Sequence, residues 1–395
     1  MRILLANKFY YRRGGDCIYM LNLEQLLQKN GHEVAVFAMD YSDNLKTKWK
    51  KYFPSEIKFE LGTGMLEAFM RPFGTSEVQK KFSTLLDNFQ PDIVHLNNIH
   101  SQLSPVIAEL AYQKGIKVVW TLHDYKLLCP RYDCLRNGEM ICEECFADKH
   151  KVLEYKCMKN SRLASFLSYR EAVKWNRERL EACIDKFICP SGFMTKKMMQ
   201  GGFNIDKLHT LCNFVDVVKC QREDYLERDN YYCFIGRLSY EKGVKTLIEA
   251  ANRLPCYKLV IIGGGPLESE LKKMAGKNVQ FVGFKKWDEI KDIMGRARFM
   301  VIPSEWYENN PLSVIEAECL GVPVLGAQIG GISELISDGD TGMTFRSRDI
   351  DDLIIKIEKM FATKFDYQMI ADASQARYNA EIYYNALMKI YKKHR

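Results

Sequence analysis

The chain has 395 residues, of which 47% are hydrophobic and 27% are charged, and its net charge is +7. This length predicts two domains, and the composition is that of a globular protein with a sizeable core, which excludes long disordered stretches. No run reaches the roughly 18 to 20 uncharged apolar residues of a membrane span, and the first residues lack the pattern of a secretory signal. We therefore expect a cytoplasmic protein whose thirteen cysteines stay reduced.

The positive charge is concentrated in the first half of the chain. Residues 1–200 contain 30 Lys and Arg against 23 Asp and Glu, whereas residues 201–395 contain 27 of each. This asymmetry favours an anionic partner for the first half, such as the inner face of a membrane or a phosphate-bearing acceptor. A solvated basic surface is the alternative. We expect no nucleic-acid partner.

The first half alternates short apolar runs with helical patterns. A strand is predicted over residues 1–7, and a Gly14-Gly15 turn then leads into a helix that carries Ile18 and Leu21. Further strands are predicted over residues 32–39, 92–97, 117–122 and 186–189. This order predicts a first Rossmann-like domain over residues 1–200, with a cysteine-rich insertion at 126–160.

The same pattern restarts in the second half. Strands are predicted over residues 231–235, 258–262, 279–282, 299–302 and 323–325, and Val244, Leu247 and Ile248 recur at helical spacing. We expect a second Rossmann-like domain over residues 201–375, with the connection in the polar segment between Asp216 and Asn230. A last amphipathic helix over 376–395 is expected to pack back toward the N-terminal domain.

Strands that alternate with helices predict parallel sheets covered on both faces, an α/β fold class. Ligands of such sheets bind at the carboxyl ends of the strands, where loops lead into helix N-termini. We expect two Rossmann-like domains facing each other across a cleft, and the informative residues are therefore those that follow each strand.

Two cations follow the first strand of the second half. Arg237 and Lys242 lie in the loop from Gly236 to Gly243, just before a predicted helix. Glycines allow a close backbone approach, the helix dipole favours negative charge, and the cations can neutralise phosphates. The loop favours a diphosphate site, and ordinary solvated charges are the alternative.

Two carboxylates, Glu308 and Glu316, lie eight positions apart across a predicted junction of loop and helix. Asn310 suits the helix cap, and Pro311 suits the first helical turn. Glu316 then lies on a mostly apolar helix, where an unpartnered carboxylate is costly, so ribose hydroxyls would be suitable partners. A core cation beside Glu316, or plain exposure of its side chain, is the alternative.

The combination of these motifs resembles the family 4 retaining glycosyltransferases, also described as glycosyl transferases group 1, which have the GT-B fold. The resemblance rests on Gly236-Arg237 with Lys242-Gly243, on the E-x7-E run at Glu308 and Glu316, and on Gly330-Gly331. It extends to Gly14-Gly15, His123-Asp124, Ser191, and Asn213 with Asp216, and it is looser in the first domain. Glu308 is followed by Asn309-Asn310-Pro311, where many members have a Gly-Phe-Gly-type run, so the donor sugar is left open.

The resemblance implies that residues 1–200 form the acceptor-side domain and that residues 201–375 form the nucleotide-sugar-binding domain. It also implies a role for each matching residue. The catalytic set would be His123 at the donor sugar, Arg237 and Lys242 at the diphosphate, and Glu308 near the sugar hydroxyls. Glu316 would bind the ribose. The remaining donor-binding positions would be Gly14, Gly15, Gly236, Gly283, Phe284, Asn310, Pro311 and Leu312, with the backbone of Gly15 near the phosphates and that of Gly283-Phe284 at the base.

The resemblance also implies an enzyme of the hexosyltransferase type. It would move a sugar from a UDP- or GDP-sugar to a glycan or lipid-linked acceptor, with retention of configuration, in the assembly of cell-surface polysaccharide. No Asp-x-Asp motif directly follows one of the predicted strands, so fixed cations rather than a bound metal would stabilise the leaving diphosphate. No cofactor is expected to be required for catalysis.

Two other functions remain open. A sugar-nucleotide epimerase can be built on the same two-domain frame, with the same phosphate and ribose residues. A non-catalytic nucleotide-sugar-binding protein is disfavoured, because we expect such a protein to have lost a cation or carboxylate of this set. A simple Rossmann dehydrogenase is disfavoured because no G-x-G-x-x-G follows the first strand.

The insertion carries Cys134, Cys142, Cys145 and Cys157, with Cys129 just upstream. A C-x-x-C pair with further cysteines nearby is typical of metal-ligand chemistry in a reducing cell, so we predict a structural zinc site at Cys134, Cys142, Cys145 and Cys157. Reduced thiols without a ligand are the alternative.

A helix is predicted from Arg162 to Asp185, with apolar residues that include Phe166 and Val173 and basic residues that include Arg170 and Arg177. Peripheral binding to an anionic membrane is one interpretation. A core helix with a solvated basic face is the other.

Overall fold

The computed structural model describes residues 1–57, 68–221 and 228–392. Two compact units divide the chain. The first comprises Met1–Cys212 and the C-terminal segment from Tyr383, and the second comprises Asn213–Ile382. The predicted connection at 216–230 lies at the start of the second unit, and its residues 222–227 lie outside the described residues.

The first unit is built on a six-stranded sheet in the order β2-β1-β3-β4-β7-β8, in which every pair is parallel. Two very short strands, β5 and β6, form an antiparallel hairpin beside it. The strands are Arg2–Ala6 (β1), Glu33–Phe37 (β2), Ile93–Leu96 (β3), Lys117–Thr121 (β4), Leu135–Arg136 (β5), Met140–Ile141 (β6), Lys186–Cys189 (β7) and Leu208–Thr210 (β8).

Helices follow most strands of the first sheet. They are Gly15–Lys29 (α1), Ser76–Phe89 (α2), Val106–Gln113 (α3), Lys151–Glu154 (α4), Arg162–Lys174 (α5), Arg177–Cys183 (α6) and Gly192–Gln200 (α7). Strands β1, β3 and β7 are buried almost throughout, as expected for a sheet covered on both faces.

The second unit is also built on a six-stranded parallel sheet, in the order β11-β10-β9-β12-β13-β14. Its strands are Tyr231–Ile235 (β9), Lys258–Ile262 (β10), Val279–Gly283 (β11), Met300–Ile302 (β12), Val324–Ala327 (β13) and Gly342–Phe345 (β14). Its helices are Val244–Asn252 (α8), Glu268–Met274 (α9), Trp287–Arg296 (α10), Leu312–Cys319 (α11), Ile350–Ala362 (α12) and Tyr367–Arg377 (α13). Helix α8 buries Val244, Leu247 and Ile248 in the core of this unit, as their spacing predicts.

The last helix, α14, spans Ala380–Lys392, and its residues from Tyr383 belong to the first unit. The Lys117 ammonium, at the start of β4, donates to the carbonyl oxygens of Ile390 at 2.9 Å and Tyr391 at 2.8 Å. A cation at this position satisfies terminal carbonyls and complements the negative end of the helix dipole. This contact fixes the end of α14 to the first sheet.

Three predictions about elements need correction. The first sheet continues through β8, so its unit ends at Cys212 and not at 200. Strand β14, which is short and begins with a glycine, was not predicted. The helix predicted over Arg162–Asp185 is two helices, because the Asn176 side chain accepts from the Arg179 amide at 2.9 Å and caps a new helix there.

The strand orders place a switch point in each sheet. In the first sheet, β2 lies on one side of β1 and β3 on the other, and in the second sheet β10 and β12 lie on opposite sides of β9, so the order in which strands are added reverses at these points. Open parallel sheets bind ligands outside the carboxyl ends of the strands at such points. The segments after β1, β3, β9 and β12 are therefore the first places to search for a site.

Candidate functional site

The loop after β9 presents two cations at the switch point of the second sheet. Arg237 is exposed, and Lys242 ends a 3-10 turn that leads into α8. Between that turn and the helix, Gly243 has φ 65°, and a Cβ there would lie 1.9 Å from the carbonyl oxygen of Pro303. Only glycine fits this position, so the cation loop is held tightly against the end of β12.

Lys242 is paired with Glu308, although the sequence assigned them to different parts of a donor. The Lys242 Nζ lies 2.6 Å from the Glu308 Oε1, which also accepts from the Ser304 hydroxyl at 2.7 Å. Burial raises the pKa of Glu308, but the Lys242 charge and these hydrogen bonds outweigh burial and lower it. Glu308 is therefore an ionised, buried carboxylate that holds Lys242 in place.

Arg237 differs from Lys242. It is exposed, and within the described part of the chain no carboxylate forms an ion pair with it. An unpaired guanidinium beside the N-terminus of α8 can bind phosphate oxygens in a bidentate manner. The loop therefore combines one positioned cation with one available cation.

Close backbone contacts hold the loops at this edge together. The Gly331 amide donates to the Glu308 carbonyl oxygen at 2.7 Å, and a Cβ on Gly330 would lie 2.2 Å from that same oxygen. After β10, a Cβ on Gly263 would lie 1.9 Å from the carbonyl oxygen of Gly236. Gly330 and Gly331 could be recognised from the sequence, whereas Gly263 could not, because its role depends on a contact with the neighbouring strand end.

The segment before α11 is arranged differently from the prediction. Pro311 is the capping residue and the helix begins at Leu312, so Pro311 is not in the first helical turn. The Asn310 side chain does not cap the helix, because its Oδ1 accepts from the amide of Asn213 at 3.0 Å. The Asn213 amide group in turn donates to the carbonyl oxygen of Asn310 at 2.9 Å. This mutual contact, over 97 positions, fixes the loop that carries Glu308.

Glu316 lies one turn inside α11 and is partly buried. Burial raises the pKa of its carboxyl group to about 8. The described residues provide no hydrogen-bond partner for this carboxyl group, so the core cation considered in the sequence analysis is not found among them. A half-buried carboxyl group without a partner is suited to binding hydroxyl groups of a ligand.

Gly283 ends β11, and Phe284 follows it at the same edge of the second sheet. Gly283 has φ 70°, and the Phe284 side chain is 86% exposed. The predicted residues of the second unit therefore lie at the end of β11 and in the segments that follow β9, β11 and β12, the last of which includes α11. Their individual roles remain predictions.

His123 follows β4 at the carboxyl edge of the first sheet. Its Nε2 lies 3.0 Å from Oδ1 of Asn97, whose own amide group donates to the Ala6 carbonyl oxygen. The Asn97 oxygen must therefore accept, so the His123 Nε2 carries the proton and Nδ1 has a lone pair. Burial lowers the pKa of His123 to about 4, so the imidazole is neutral at physiological pH.

A network of buried hydroxyl groups lies beneath His123. The Tyr19 ring packs edge-on against the imidazole, with 4.9 Å between ring centroids. The Tyr19 hydroxyl bonds to Thr121 at 3.3 Å and to Tyr383 of α14, while His95 bonds to Thr121 at 2.7 Å. This network could not be predicted from the sequence, because its residues are far apart along the chain.

Gly14 and Gly15 begin α1 after the loop that follows β1. Gly14 is the capping residue in an extended conformation, and a Cβ on Gly15 would meet no atom within 4 Å. The backbone at Gly15 therefore leaves room for a ligand, as an anion site would require, while the first turn of the helix also carries the acidic Asp16.

The cysteine insertion has little apolar core. Cys145, Cys157 and Val152 form its buried cluster, and the Cys142 amide donates to the Cys134 carbonyl oxygen at 2.8 Å. Across the described residues, no group of three or more His, Cys, Asp or Glu side chains is arranged to hold a metal ion. The zinc site at Cys134, Cys142, Cys145 and Cys157 thus stays a prediction.

Comparisons with known proteins agree with these features. A family model described as Glycosyltransferase Family 4 matches residues 13–219, slightly more than half of the chain, and one described as Glycosyl transferases group 1 matches residues 220–380. An uncharacterized 42.6 kDa protein in the cps region of Klebsiella pneumoniae is 25% identical over 99% of this chain and 100% of that protein. The amylovoran biosynthesis glycosyltransferase AmsK of Erwinia amylovora is 29% identical over 40% of this chain and 43% of its own length.

A solved structure shares the whole fold. The crystal structure of Anabaena Alr3699/HepE in complex with UDP and glucose matches with a TM-score of 0.69 over 100% of both chains, at 17% sequence identity. Together with the two parallel sheets, this likeness confirms the predicted pair of Rossmann-like domains of the GT-B type.

Proposed function

Because the chain belongs to glycosyltransferase family 4, we propose that it transfers a hexose from a UDP- or GDP-sugar to a glycan or lipid-linked acceptor. The proposed transfer retains the anomeric configuration and uses no catalytic metal. The observation that carries the proposal is the loop after β9, where Glu308 positions Lys242 and Arg237 is exposed. The loop leads directly into the N-terminus of α8. Such a combination of fixed cations and helix dipole suits a departing diphosphate.

The proposed reaction is a front-face displacement. The bond between the anomeric carbon and the diphosphate oxygen breaks, and its electron pair leaves with the diphosphate. The acceptor hydroxyl oxygen bonds to the anomeric carbon on that same face, and the hydroxyl proton passes to the departing diphosphate oxygen. Arg237 and Lys242 stabilise the charge that develops on the leaving group, so no separate general base is required.

The other residues position the donor. Glu316 accepts hydrogen bonds from the ribose hydroxyls. His123, neutral and with its Nδ1 lone pair available, accepts a hydrogen bond from a donor sugar hydroxyl. Because binding energy spent on the donor orients the anomeric carbon, these contacts also favour the reacting geometry.

Support for the biological context comes from the relatives. AmsK is a glycosyltransferase of amylovoran biosynthesis, and the Klebsiella relative lies in a cps region. We infer a role in polysaccharide assembly, on the cytoplasmic side of a membrane and at its surface. Among the described residues, every helix falls short of the length and apolar character that a membrane span requires.

The donor class can be tested by ligand binding. A thermal-shift screen against nucleoside diphosphates and nucleotide sugars should raise the Tm for one base, since a ligand at 100 times its Kd stabilises by about 2.7 kcal/mol. The Arg237→Ala variant should lose most of this shift. No shift with any nucleotide, in protein that is folded by circular dichroism, would contradict the proposal.

The reaction itself is tested with the donor so identified. Proton NMR of fresh product should show the anomeric configuration of the donor, and turnover should persist in EDTA. An inverted product, or activity restored only by magnesium or manganese, would overturn the mechanism. Conversion of the donor into an epimeric nucleotide sugar without any acceptor would indicate the alternative epimerase.

A further inference from the structure

Helix α5 of the first unit buries its polar side. Its buried residues are Ser165, Ser168 and Glu171. Each has partners, since the Ser165 Oγ accepts from the Met158 amide at 3.1 Å and the Ser168 hydroxyl donates to the Pro130 carbonyl oxygen at 2.9 Å. Glu171 forms an ion pair with Lys126 at 3.0 Å. The fully buried residues of this helix are therefore polar, while the partly buried Tyr169 packs against the cluster of Cys145, Val152 and Cys157.

The apolar side of the same helix faces outward. The side chains of Leu163, Phe166 and Val173 are 59%, 47% and 46% exposed. Positions separated by three, seven and ten residues lie on one side of an α-helix. A surface helix of a globular protein normally has the opposite arrangement, with apolar residues inward. Three large apolar side chains exposed along one stripe indicate an interaction surface.

The charge of this outward side is positive. Arg162 and Arg170 are exposed beside the apolar residues, and the described residues provide no ion-pair partner for either guanidinium. Glu171, the single carboxylate of the helix, is buried. By contrast, Arg179 of the next helix is paired with Glu109. The outward side of α5 thus combines apolar anchors with unpaired cations.

From this arrangement we infer that the outward side of α5, defined by Arg162, Leu163, Phe166, Arg170 and Val173, docks on an anionic lipid surface. Apolar side chains enter the boundary between headgroups and acyl chains, while arginines reach the phosphates through their long stems. Each cation near an anionic bilayer adds to the attraction. The excess of basic residues in 1–200 acts in the same direction.

A second copy of the chain fits this surface less well. A stable protein interface buries about 800 Å² on each partner and involves about 20 to 30 residues, whereas the stripe offers five. A two-fold interface would also bring the unpaired arginines of both copies together. A lipid surface requires only a few anchors and supplies the opposite charge.

The test measures binding of the full-length protein to sedimented vesicles. Wild type should bind vesicles of phosphatidylcholine with phosphatidylglycerol, and should bind pure phosphatidylcholine weakly.

The R162Q/R170Q variant should lose affinity for the anionic vesicles by about 25-fold, or about five-fold for each charge. The L163S/F166S variant should lose about ten-fold or more. The matched control is Ile355→Ser, which removes a 60% exposed apolar side chain from α12 and should leave binding unchanged.

Several outcomes would overturn the inference. One is that wild type does not bind anionic vesicles. Another is that L163S/F166S has the Tm of wild type and binds the vesicles equally well. A third is that light scattering shows a dimer of wild type that the L163S/F166S substitutions abolish. Because the assay uses neither donor nor turnover, its failure would leave the transferase proposal intact.

Discussion

The carboxyl edges of the two sheets carry different groups. At the second sheet, Lys242 and Glu308 form a buried ion pair and Arg237 stands exposed beside it. At the first sheet, His123 rests on a buried network of uncharged groups that includes Asn97 and Tyr19. The first arrangement suits an anion whose charge changes during a reaction, and the second suits neutral hydroxyl groups that need fixed hydrogen-bond partners.

The largest effects on turnover should come from substituting the two cations at the carboxyl edge of the second sheet. Removing a preorganised charge stabiliser typically lowers kcat by about 10²- to 10³-fold, and we expect that loss for Lys242→Ala. Arg237→Ala should cause a comparable loss and is the sharper test, because it leaves no buried carboxylate unpaired. The measurement is steady-state kinetics with the cognate donor.

A matched control for these cations lies on the same segment. Lys245 is half-exposed and 3.9 Å from Glu270, so Lys245→Ala removes a lysine three positions from Lys242 without touching the loop. It should keep normal kinetics. Near-normal kcat and donor affinity in folded Arg237→Ala and Lys242→Ala would show that the charged edge is not where the diphosphate leaves.

Glu316 should affect donor binding more than turnover. Because burial raises the pKa of Glu316 to about 8, its carboxyl group is largely neutral near pH 7, and a hydrogen bond between neutral groups contributes about 0.5 to 1.5 kcal/mol. Glu316→Gln should therefore raise the donor KM by about two- to ten-fold and leave kcat within about two-fold. An equal fall in kcat would mean that Glu316 contacts the reacting part of the donor.

The same carboxyl group should make stability depend on pH. Burial raises the pKa of Glu316 to about 8 and that of Glu318 to about 7, from an ordinary value of 4.5. Between the ordinary pKa and these raised pKa values, the two carboxyl groups keep protons in the folded chain that they lose in the unfolded chain. Their contribution to stability therefore falls as pH rises through about 5 to 8. The neutral His123 acts in the opposite direction over this range, so the prediction concerns a difference: the Tm of Glu316→Gln relative to wild type should rise between about pH 5.5 and pH 8.5. Equal slopes would contradict the raised pKa.

The sequence predicted the second edge well because its residues lie in short continuous segments. Arg237 and Lys242 are five positions apart, and Glu308 and Glu316 are eight apart. Their order relative to the strands is enough to place them at one edge. The Lys242–Glu308 pair was not predicted, because a contact over 66 positions depends on how the loops after β9 and β12 meet.

The first edge could be predicted only in part. His123 follows an evident strand, but Tyr19 and Tyr383 are 364 positions apart, and no local pattern joins them. For helix α5, the buried side was predicted wrongly. Its apolar residues suggested a core side, whereas its core contacts are made by Ser165, Ser168 and Glu171. Periodicity shows which residues share a side of a helix and does not show which side is buried.

The cysteine insertion after His123 gives a prediction about stability. It has a small apolar core, and six of its non-glycine residues have positive φ angles, namely Tyr132, Cys134, Asn137, Lys156, Lys159 and Asn160. A metal bound by the cysteines would add stability to such a segment, so we predict about one zinc ion per chain in protein purified without chelator. Metal analysis is the measurement.

Two variants sharpen the zinc prediction. Cys134→Ser should lower both zinc content and Tm, whereas Cys256→Ser, which changes an exposed cysteine of the second unit, should alter neither. Chelation should lower the Tm without abolishing turnover. Zinc below about a tenth of an equivalent would show that the insertion is stabilised without metal.

The smallest expected effect concerns the support of His123 by α14. Tyr383→Phe removes the hydroxyl that bonds to Tyr19, whose ring packs against His123. We expect kcat to fall by about two- to five-fold with an unchanged donor KM, because the imidazole loses orientation while its own contacts remain. The matched control is Tyr384→Phe on the same helix, which removes a 2.8 Å bond to His32 and should cost similar stability without changing kcat. If both variants lower the Tm by the same amount and leave kcat unchanged, the hydroxyl network contributes to the stability of the first unit and not to turnover. The role of His123 in the reaction would then not depend on α14.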